Sequence, residues 1–166
     1  MCEVEDRLAA LGITLPDPPL PGGAYHATQR CGSLLFLSGQ FPIENGALRF
    51  TGRLGADLSV EQGYEAARLA AINVLSHIRR ALGSFAPLRS LVRVEGHLHA
   101  VPGFEQHARV LDGASDLFNA VLGNRSGHAR AVFGHAAMPL NLAVELVVVA
   151  EVGELTDHCA NAPRGD

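Results

Sequence analysis

Residues 129–152 read ARAVFGHAAMPLNLAVELVVVAEV and contain two strand-like segments around a turn. The strands are predicted over Ala129–Ala136 and Ala143–Val152, and the turn over Met138-Pro139-Leu140-Asn141. The run Leu146–Ala150 is uninterrupted apolar sequence, so neither face of the second strand suits water. We therefore expect helices to cover one face of the sheet and another copy of the chain to cover the other, which predicts a homo-oligomer.

Two charged residues in this stretch are candidates for function. Glu145 lies between Val144 and Leu146, where an unpaired carboxylate would be costly to bury. Arg130 is the natural partner, because a guanidinium stays charged and forms planar bidentate contacts with carboxylates. The sequence therefore singles out Arg130 and Glu145.

A symmetric hairpin would place these two side chains on one face of the sheet. If the strands turn about Pro139-Leu140, Glu145 lies opposite Gly134, which shares a face with Arg130. The two groups would then be about 13 Å apart along the strand, suited to leaning toward a ligand between them. The alternative is a structural ion pair or two separate interface charges, and spacing alone does not decide between these interpretations.

The preceding segment alternates along a strand predicted over Leu91–His99, and a helix over Phe104–Leu122 follows it. The strand is expected to present Val92, Val94 and Leu98 on one face and Arg93, Glu95, His97 and His99 on the other. A His-x-His pair beside a glutamate can bind a transition metal. Because no further ligand is evident, we favour histidines that line a polar interface and predict no metal site.

A long amphipathic helix is predicted earlier in the chain. Its apolar residues recur at spacings of three and four and are Val60, Tyr64, Ala67, Ala71, Val74, Ile78 and Leu82. Ser59 and Gln62 fit a capping box, and Gly83 is placed to end the helix in a left-handed turn.

The N-terminal part of the chain divides into three features. A short helix over Glu3–Leu11 precedes the Pro-rich connector Leu15–Gly23. Strands are predicted over Tyr25–Arg30 and Ser33–Ser38, and Asn45-Gly46 is typical of a hairpin turn. We therefore divide the chain into an N-terminal helix and connector (1–21), an α+β domain (22–153) and a flexible tail (154–166).

Composition narrows the function classes. The chain has 166 residues, of which 48% are hydrophobic and 18% charged, enough for one domain and its core. The formal charge of −4 and the lack of a basic run argue against nucleic acid. With neither a membrane span nor the basic start of a signal peptide, a cytoplasmic location is expected. The widely spaced Cys2, Cys31 and Cys159 are interpreted as free thiols, and Gly52-x-x-Gly55 is too short for a phosphate-binding fingerprint, so no cofactor is predicted.

Several of these residues together resemble the RidA (YjgF-like) family of enamine/imine deaminases. Arg130-Ala131-Val132, Met138-Pro139 and Val144-Glu145-Leu146 resemble its closing motif, an arginine, a hydrophobic-Pro turn and a glutamate fifteen residues after the arginine. Leu37-Ser38-Gly39-Gln40 resembles its Ser-Gly-Gln strand end, and Asn73 lies in the helix where the family has a similar residue. The resemblance spans roughly residues 22–152, and the N-terminal helix with its connector resembles a longer subgroup.

The resemblance implies a chorismate-mutase-like α+β fold with a mixed sheet, two helices packed on one face, and a homotrimer around a central barrel. Ligand sites would lie in clefts between subunits. Arg130 would hold the carboxylate of a 2-imino or 2-enamino acid, and Glu145 would position or activate the water that attacks the imine carbon. The expected reaction is hydrolytic deamination to a 2-keto acid and ammonia.

The same resemblance assigns secondary roles in the pocket. Backbone groups near Gly39 and Val132 would complete it, Ser38 would line its wall, and Tyr25 and Asp112 would be contributed across the interface. Val132 and Asp112 depart from the cysteine and asparagine that many members carry. Two functions remain open, an imine-hydrolysing enzyme and a non-catalytic protein that binds a small carboxylate as a sensor or scaffold.

Overall fold

A computed structural model describes residues 3–154 of the chain. Cys2, Cys159 and, apart from Glu154, the predicted flexible tail lie outside the described residues. In chain order the elements are α1 (Glu3–Ala10), β1 (Thr28–Cys31), β2 (Leu34–Gln40), β3 (Ile43–Glu44), β4 (Ala47–Leu48), α2 (Val60–Leu82), β5 (Leu88–His99), α3 (His107–Leu122), β6 (Ala129–His135) and β7 (Val144–Val152). Short 3₁₀ turns occur at Gly123–Arg125 and Pro139–Asn141.

The main sheet has five strands in the order β1-β2-β7-β5-β6. Strands β5 and β6 are parallel, and the other neighbouring pairs are antiparallel. Since β2 and β5 are both antiparallel to β7, they run in the same direction, and α2 and α3 each connect two parallel strands. Such crossovers are right-handed, so both helices pack on one face of the sheet.

The predicted β6–β7 hairpin is wrong, because β5 lies between these two strands. The crossover through α3 brings β6 back parallel to β5 at the edge of the sheet. Strand β7 then inserts between β2 and β5, where both of its edges are hydrogen-bonded. That central position suits its apolar run, since the fully buried Val144, Leu146, Val148 and Ala150 face the helices.

The long helix α2 begins and ends where the sequence predicts. Ser59 accepts a hydrogen bond from the Gln62 backbone, and the Gln62 side chain bonds back to the Ser59 backbone, which completes the capping box. Gly83 has φ 74° and ends the helix in the left-handed region. The Asn45-Gly46 turn between β3 and β4 also forms as predicted, with positive φ at both residues.

The short helix predicted over Glu3–Leu11 forms as α1 and adds a third helix to the two that the family resemblance implies on one face of the sheet. Helix α1 packs on α3 and buries Val4 and Leu8, which are 2% and 5% exposed. The guanidinium of Arg7 lies against Gly123, where a Cβ would fall 2.0 Å from the arginine Nη1. The fold is therefore a mixed sheet with three helices, and α1 contributes to the same hydrophobic core as α2 and α3.

The outer face of the sheet, opposite the helices, carries exposed apolar side chains. Phe36 is 42% exposed and Phe133 is 43% exposed. Val92 is also exposed rather than buried as predicted, because the register of β5 against β7 shifts between Leu91 and Arg93 and turns Leu91 inward. Among residues 3–154, the helices are too short or too polar to cross a bilayer.

Candidate functional site

Arg130 lies on the edge strand β6 and faces helix α3. Its register partner is Val94, which is fully buried on the helix-covered face of the sheet. The Arg130 Nη1 donates to Asp112 Oδ1 at 2.7 Å and to Ser115 Oγ at 3.2 Å. The arginine is therefore bound by a carboxylate and a hydroxyl from successive turns of α3.

Further hydrogen bonds tie the start of β6 to α3. The Ser115 Oγ lies 3.1 Å from His128 Nε2, and the other ring nitrogen of His128 contacts the Ser126 carbonyl. Side chains of Arg130 and Asp112 are 30% and 46% exposed, so this group borders solvent. Val132 follows on the same face, beside Gly96 of β5. We call Arg130, Asp112, Ser115 and Val132 the arginine cluster.

Glu145 lies on the opposite, outer face of the sheet. It pairs in register with His97 of β5, three residues beyond Val94 along a regular ladder. Side chains alternate faces along a strand, so residues three apart point in opposite directions. Arg130 and Glu145 therefore face opposite sides of the sheet within the chain, and the predicted pairing of Glu145 with Gly134 is wrong.

The Glu145 carboxylate packs directly on the backbone of Gly39. A Cβ at Gly39 would fall 1.7 Å from Glu145 Oε1, so any other residue there would displace the carboxylate. Burial raises the pKa of the half-buried Glu145 carboxyl, and the neighbouring His97 and His135 partly oppose that rise. A carboxyl group of this kind can hold or release a proton closer to neutral pH than an exposed glutamate.

Strand β2 creates the space for that carboxylate by an irregularity. Its register against β7 shifts between Leu37 and Gln40, as at a β-bulge. Within this interval the Ser38 Oγ donates to the His26 carbonyl at 2.8 Å, so the hydroxyl fixes the chain entering β1. The adjacent Gly39 is left as the contact surface for Glu145.

Gly39 and Tyr25 line one small cavity of about 110 Å³. His77 of α2 and Leu140 of the turn before β7 line it as well. Tyr25 itself is 51% exposed at this location. We call Glu145, Gly39, His97 and Tyr25 the glutamate cluster. Three of its members, Glu145, Gly39 and Tyr25, were assigned to the pocket, together with Ser38, by the family resemblance.

The fold brings three histidines to this region, of which sequence reasoning missed His77 and His135 and found only His97. The His97 Nδ1 lies 2.9 Å from His135 Nε2 of β6, beside Glu145. His77 was hidden in the apolar pattern of α2, and burial lowers the pKa of its ring. The alternation of β5 already placed His97 on the polar face, whereas only the parallel β5–β6 register could reveal His135 as its neighbour.

Asn73 has a structural role that its sequence position suggests only vaguely. Its side-chain nitrogen donates to the carbonyl oxygens of Phe41 at 2.8 Å and Ile43 at 2.9 Å. These bonds fix the chain that leaves β2 and so hold Gly39 in place. Within residues 3–154, no three histidine, cysteine, aspartate or glutamate side chains come together as metal ligands would.

Comparison with known proteins gives a consistent assignment. The family model described as "YjgF/chorismate_mutase-like, putative endoribonuclease" matches residues 5–152. Protein TCP17 of Trypanosoma cruzi is 36% identical over 150 residues, which cover 90% of this chain and 94% of TCP17.

Solved structures agree with the family match. One from Shewanella oneidensis, described as "a putative endoribonuclease", superposes with a TM-score of 0.88 at 36% identity, covering 91% of this chain and 100% of that one. The Agrobacterium tumefaciens protein Atu1372, described as having unknown function, gives a TM-score of 0.84 at 37% identity, covering 90% and 92%. The predicted chorismate-mutase-like fold is thereby confirmed, and the chain belongs to the YjgF/RidA-like family.

Proposed function

We propose that the protein hydrolyses reactive 2-imino and 2-enamino acids to 2-keto acids and ammonia, at sites between the subunits of a homotrimer. The observation that carries this proposal is the half-buried Glu145 carboxylate, seated on the Gly39 backbone with a raised pKa. Such a group can take a proton from a water molecule and return it during the same reaction. An imine carbon is electrophilic, so a site that holds the imino acid and the attacking water in the right orientation supplies most of the catalysis needed.

The chemistry divides between the two clusters. Arg130 would bind the substrate carboxylate through guanidinium N–H groups, as its planar fork favours. Glu145 would accept a proton from the attacking water as the new C–O bond forms at the imine carbon. Glu145 would return that proton to the nitrogen, which receives the C=N π electrons, to give a carbinolamine. The carbinolamine hydroxyl would then pass its proton to the nitrogen through Glu145 as the C–N bond breaks, so ammonia leaves and the carbonyl of the keto acid remains.

The position of the two clusters on opposite faces of the sheet favours a site built from two subunits. One subunit would contribute the arginine cluster at its sheet edge, and the next would contribute the glutamate cluster on its outer face. The exposed apolar side chains of Phe36 and Phe133 on that outer face support contact with a second copy. The trimer expected from the family resemblance would produce three such sites.

A second candidate is a non-catalytic pocket for small carboxylates. The ion pair between Arg130 and Asp112 affects both candidates equally, because any incoming carboxylate must compete with the Asp112 carboxylate 2.7 Å from the guanidinium. The descriptions of the family and of the Shewanella protein name ribonuclease activity. The net charge of −4 does not support that activity for this chain, because binding to RNA phosphates depends on positive charge.

The first test compares wild type with Arg130→Ala in a keto-acid release assay. The substrates are 2-iminobutyrate and 2-iminopropionate generated in situ, with semicarbazide as the competitor. We expect wild type to accelerate keto-acid release. The rate should fall at least about tenfold in Arg130→Ala, because the substrate carboxylate loses its charge-assisted hydrogen bonds. Arg49→Ala is the control, since Arg49 is exposed and paired only loosely, at 3.5 Å, with Glu44. If wild type binds keto acids but never accelerates release, the binding-protein function replaces the enzyme.

A second prediction concerns Gly39. In Gly39→Ala the new methyl group would meet the Glu145 carboxylate, and this flexible side chain should move aside by an ångström or more. Misplacing a catalytic group by about 1 Å can cost on the order of a hundredfold in rate. We therefore expect keto-acid release to fall by about that factor while the melting temperature changes little. Gly127→Ala, whose added methyl would meet open space, should leave both unchanged; equal rates in the two variants would refute the role of Gly39.

A further inference from the structure

A row of charged and titratable side chains crosses the outer face of three adjacent strands. Arg93 donates to Glu95 on β5, and the other oxygen of Glu95 lies 3.9 Å from His97 Nε2. His97 in turn contacts His135 of β6 and lies opposite Glu145 of β7. When one histidine is protonated, positive and negative charges therefore alternate along the row, which runs through Arg93, Glu95, the His97–His135 pair and Glu145.

A hydrogen bond joins His97 and His135. Their facing nitrogens are 2.9 Å apart, so one must donate and the other accept. A first added proton preserves this hydrogen bond, whereas a second would set two N–H groups against each other. The hydrogen bond therefore holds the two rings together, and it is kept when the pair carries one positive charge.

The packing keeps that charge next to Glu145. His97 stacks on Phe133 with ring centroids 5.3 Å apart, and it lies directly across the antiparallel ladder from Glu145. Side chains at such cross-strand positions have Cβ atoms about 5 Å apart. On the other flank of Glu145, β2 has the sequence LLFLSGQ and adds no ionisable side chain. Tyr25 and His77 are the titratable side chains that line the cavity at Gly39 on that side.

We propose that His97 and His135 are positioning residues for Glu145, holding its carboxylate ionised and directed over Gly39 so that it is ready to accept a proton from water. This inference rests on the proposed function for its catalytic meaning. The electrostatic coupling between the histidines and Glu145 does not depend on the protein being an enzyme.

The proposal explains how a half-buried carboxyl remains useful as a base. Burial alone favours the neutral form of Glu145, which cannot accept a proton from water. A neighbouring cation restores the ionised form. Consistently, both histidines oppose the effect of burial on the pKa of Glu145. The negative charge of Glu95 weakens the effect of a protonated histidine on Glu145 only slightly, because Arg93 already neutralises that charge.

The test uses His97→Phe, which keeps an aromatic ring on Phe133 but removes the charge, and His97→Lys, which restores a cation. Glutamate labelled with ¹³C at Cδ reports each carboxyl by NMR, and the Glu145 signal is identified by its loss in Glu145→Gln. We expect the Glu145 titration midpoint to rise by about one pH unit in His97→Phe and to return toward wild type in His97→Lys. The acid limb of kcat/KM should move by the same amount and in the same direction.

The two measurements separate failure of this inference from failure of the proposed function. A shifted NMR midpoint in a protein that releases no keto acid supports the coupling and removes only the deaminase. An active protein in which neither the midpoint nor the acid limb moves overturns the role of the histidines. Melting curves of both variants show whether the fold is retained, and His135→Val provides a second removal of the pair if His97→Phe fails to fold.

Discussion

Glu145→Gln should release keto acid from 2-imino acids at least about a hundredfold more slowly than wild type, the usual contribution of a general base. Glutamine has the same shape, so it can occupy the space over Gly39, but its amide cannot accept a proton from water. The measurement is the same release assay, with melting curves to show that the fold is retained. Wild-type rates in this variant would exclude Glu145 as the base.

Glu151→Gln is the matched control for this substitution. Glu151 lies on the same strand and face as Glu145, six residues further along. Its side chain is exposed and accepts one long hydrogen bond, of 3.4 Å, from the Ser90 hydroxyl. Each substitution removes one carboxylate, so the formal net charge changes equally in the two variants. A rate difference between them therefore reports the location of Glu145 and not the charge of the protein.

Mixing two inactive variants tests whether the site is shared. If Arg130 and Glu145 come from neighbouring subunits, trimers co-expressed from Arg130→Ala and Glu145→Gln chains will contain some intact sites. Random assembly would restore about a quarter of the sites, because each must draw its arginine from one variant and its glutamate from the other. If both residues of a site belong to one subunit, no mixture recovers activity. A monomer by light scattering would refute the shared site directly.

Gly113→Ala should destabilise the protein by about 3 kcal/mol, at the upper end of what overpacking usually costs. Helices α2 and α3 approach so closely there that a Cβ on Gly113 would fall 2.0 Å from the Tyr64 carbonyl oxygen. Main-chain atoms cannot rotate away as a side chain can, so the helices must separate. For a domain of this size the melting temperature should fall by about 10 °C.

The sign of this effect is what makes the experiment decisive. Helix propensity alone predicts that alanine stabilises the middle of α3 by about 1 kcal/mol relative to glycine. Gly127→Ala again serves as the neutral control, because nothing lies near its added methyl. A Gly113→Ala protein that melts at or above the wild-type temperature would show that α2 and α3 do not approach as described.

Local features of this chain could be predicted from its sequence because local contacts determine them. The capping box of Ser59 and Gln62 and the left-handed Gly83 involve neighbours in the chain, so α2 could be bounded in advance. The need of Glu145 for a polar neighbour also followed from its apolar surroundings. The identity of that neighbour did not, because it depends on which strand lies beside β7.

The errors about the candidate site share that physical origin. A crossover helix, not the short turn at Pro139, determines where β6 lies, and crossovers leave little trace in residue patterns. Asp112 and Ser115 became the partners of Arg130 once β6 packed under α3. The bulge that exposes Val92 is a similar case, since one extra residue in the ladder reverses an alternation that the sequence shows as regular.

Strand β7 comes last among the strands of the described chain, yet it occupies the centre of the sheet between β2 and β5. During synthesis, β2 and β5 therefore leave the ribosome before β7, the strand that joins them, has been made. Contacts between distant parts of a chain form slowly, and open strand edges invite aggregation in the meantime. A chain interrupted before residue 144 would lack the strand that joins both halves of its sheet. We therefore expect such a chain to be an aggregation-prone fragment that chaperones and proteases handle, and not a smaller folded protein.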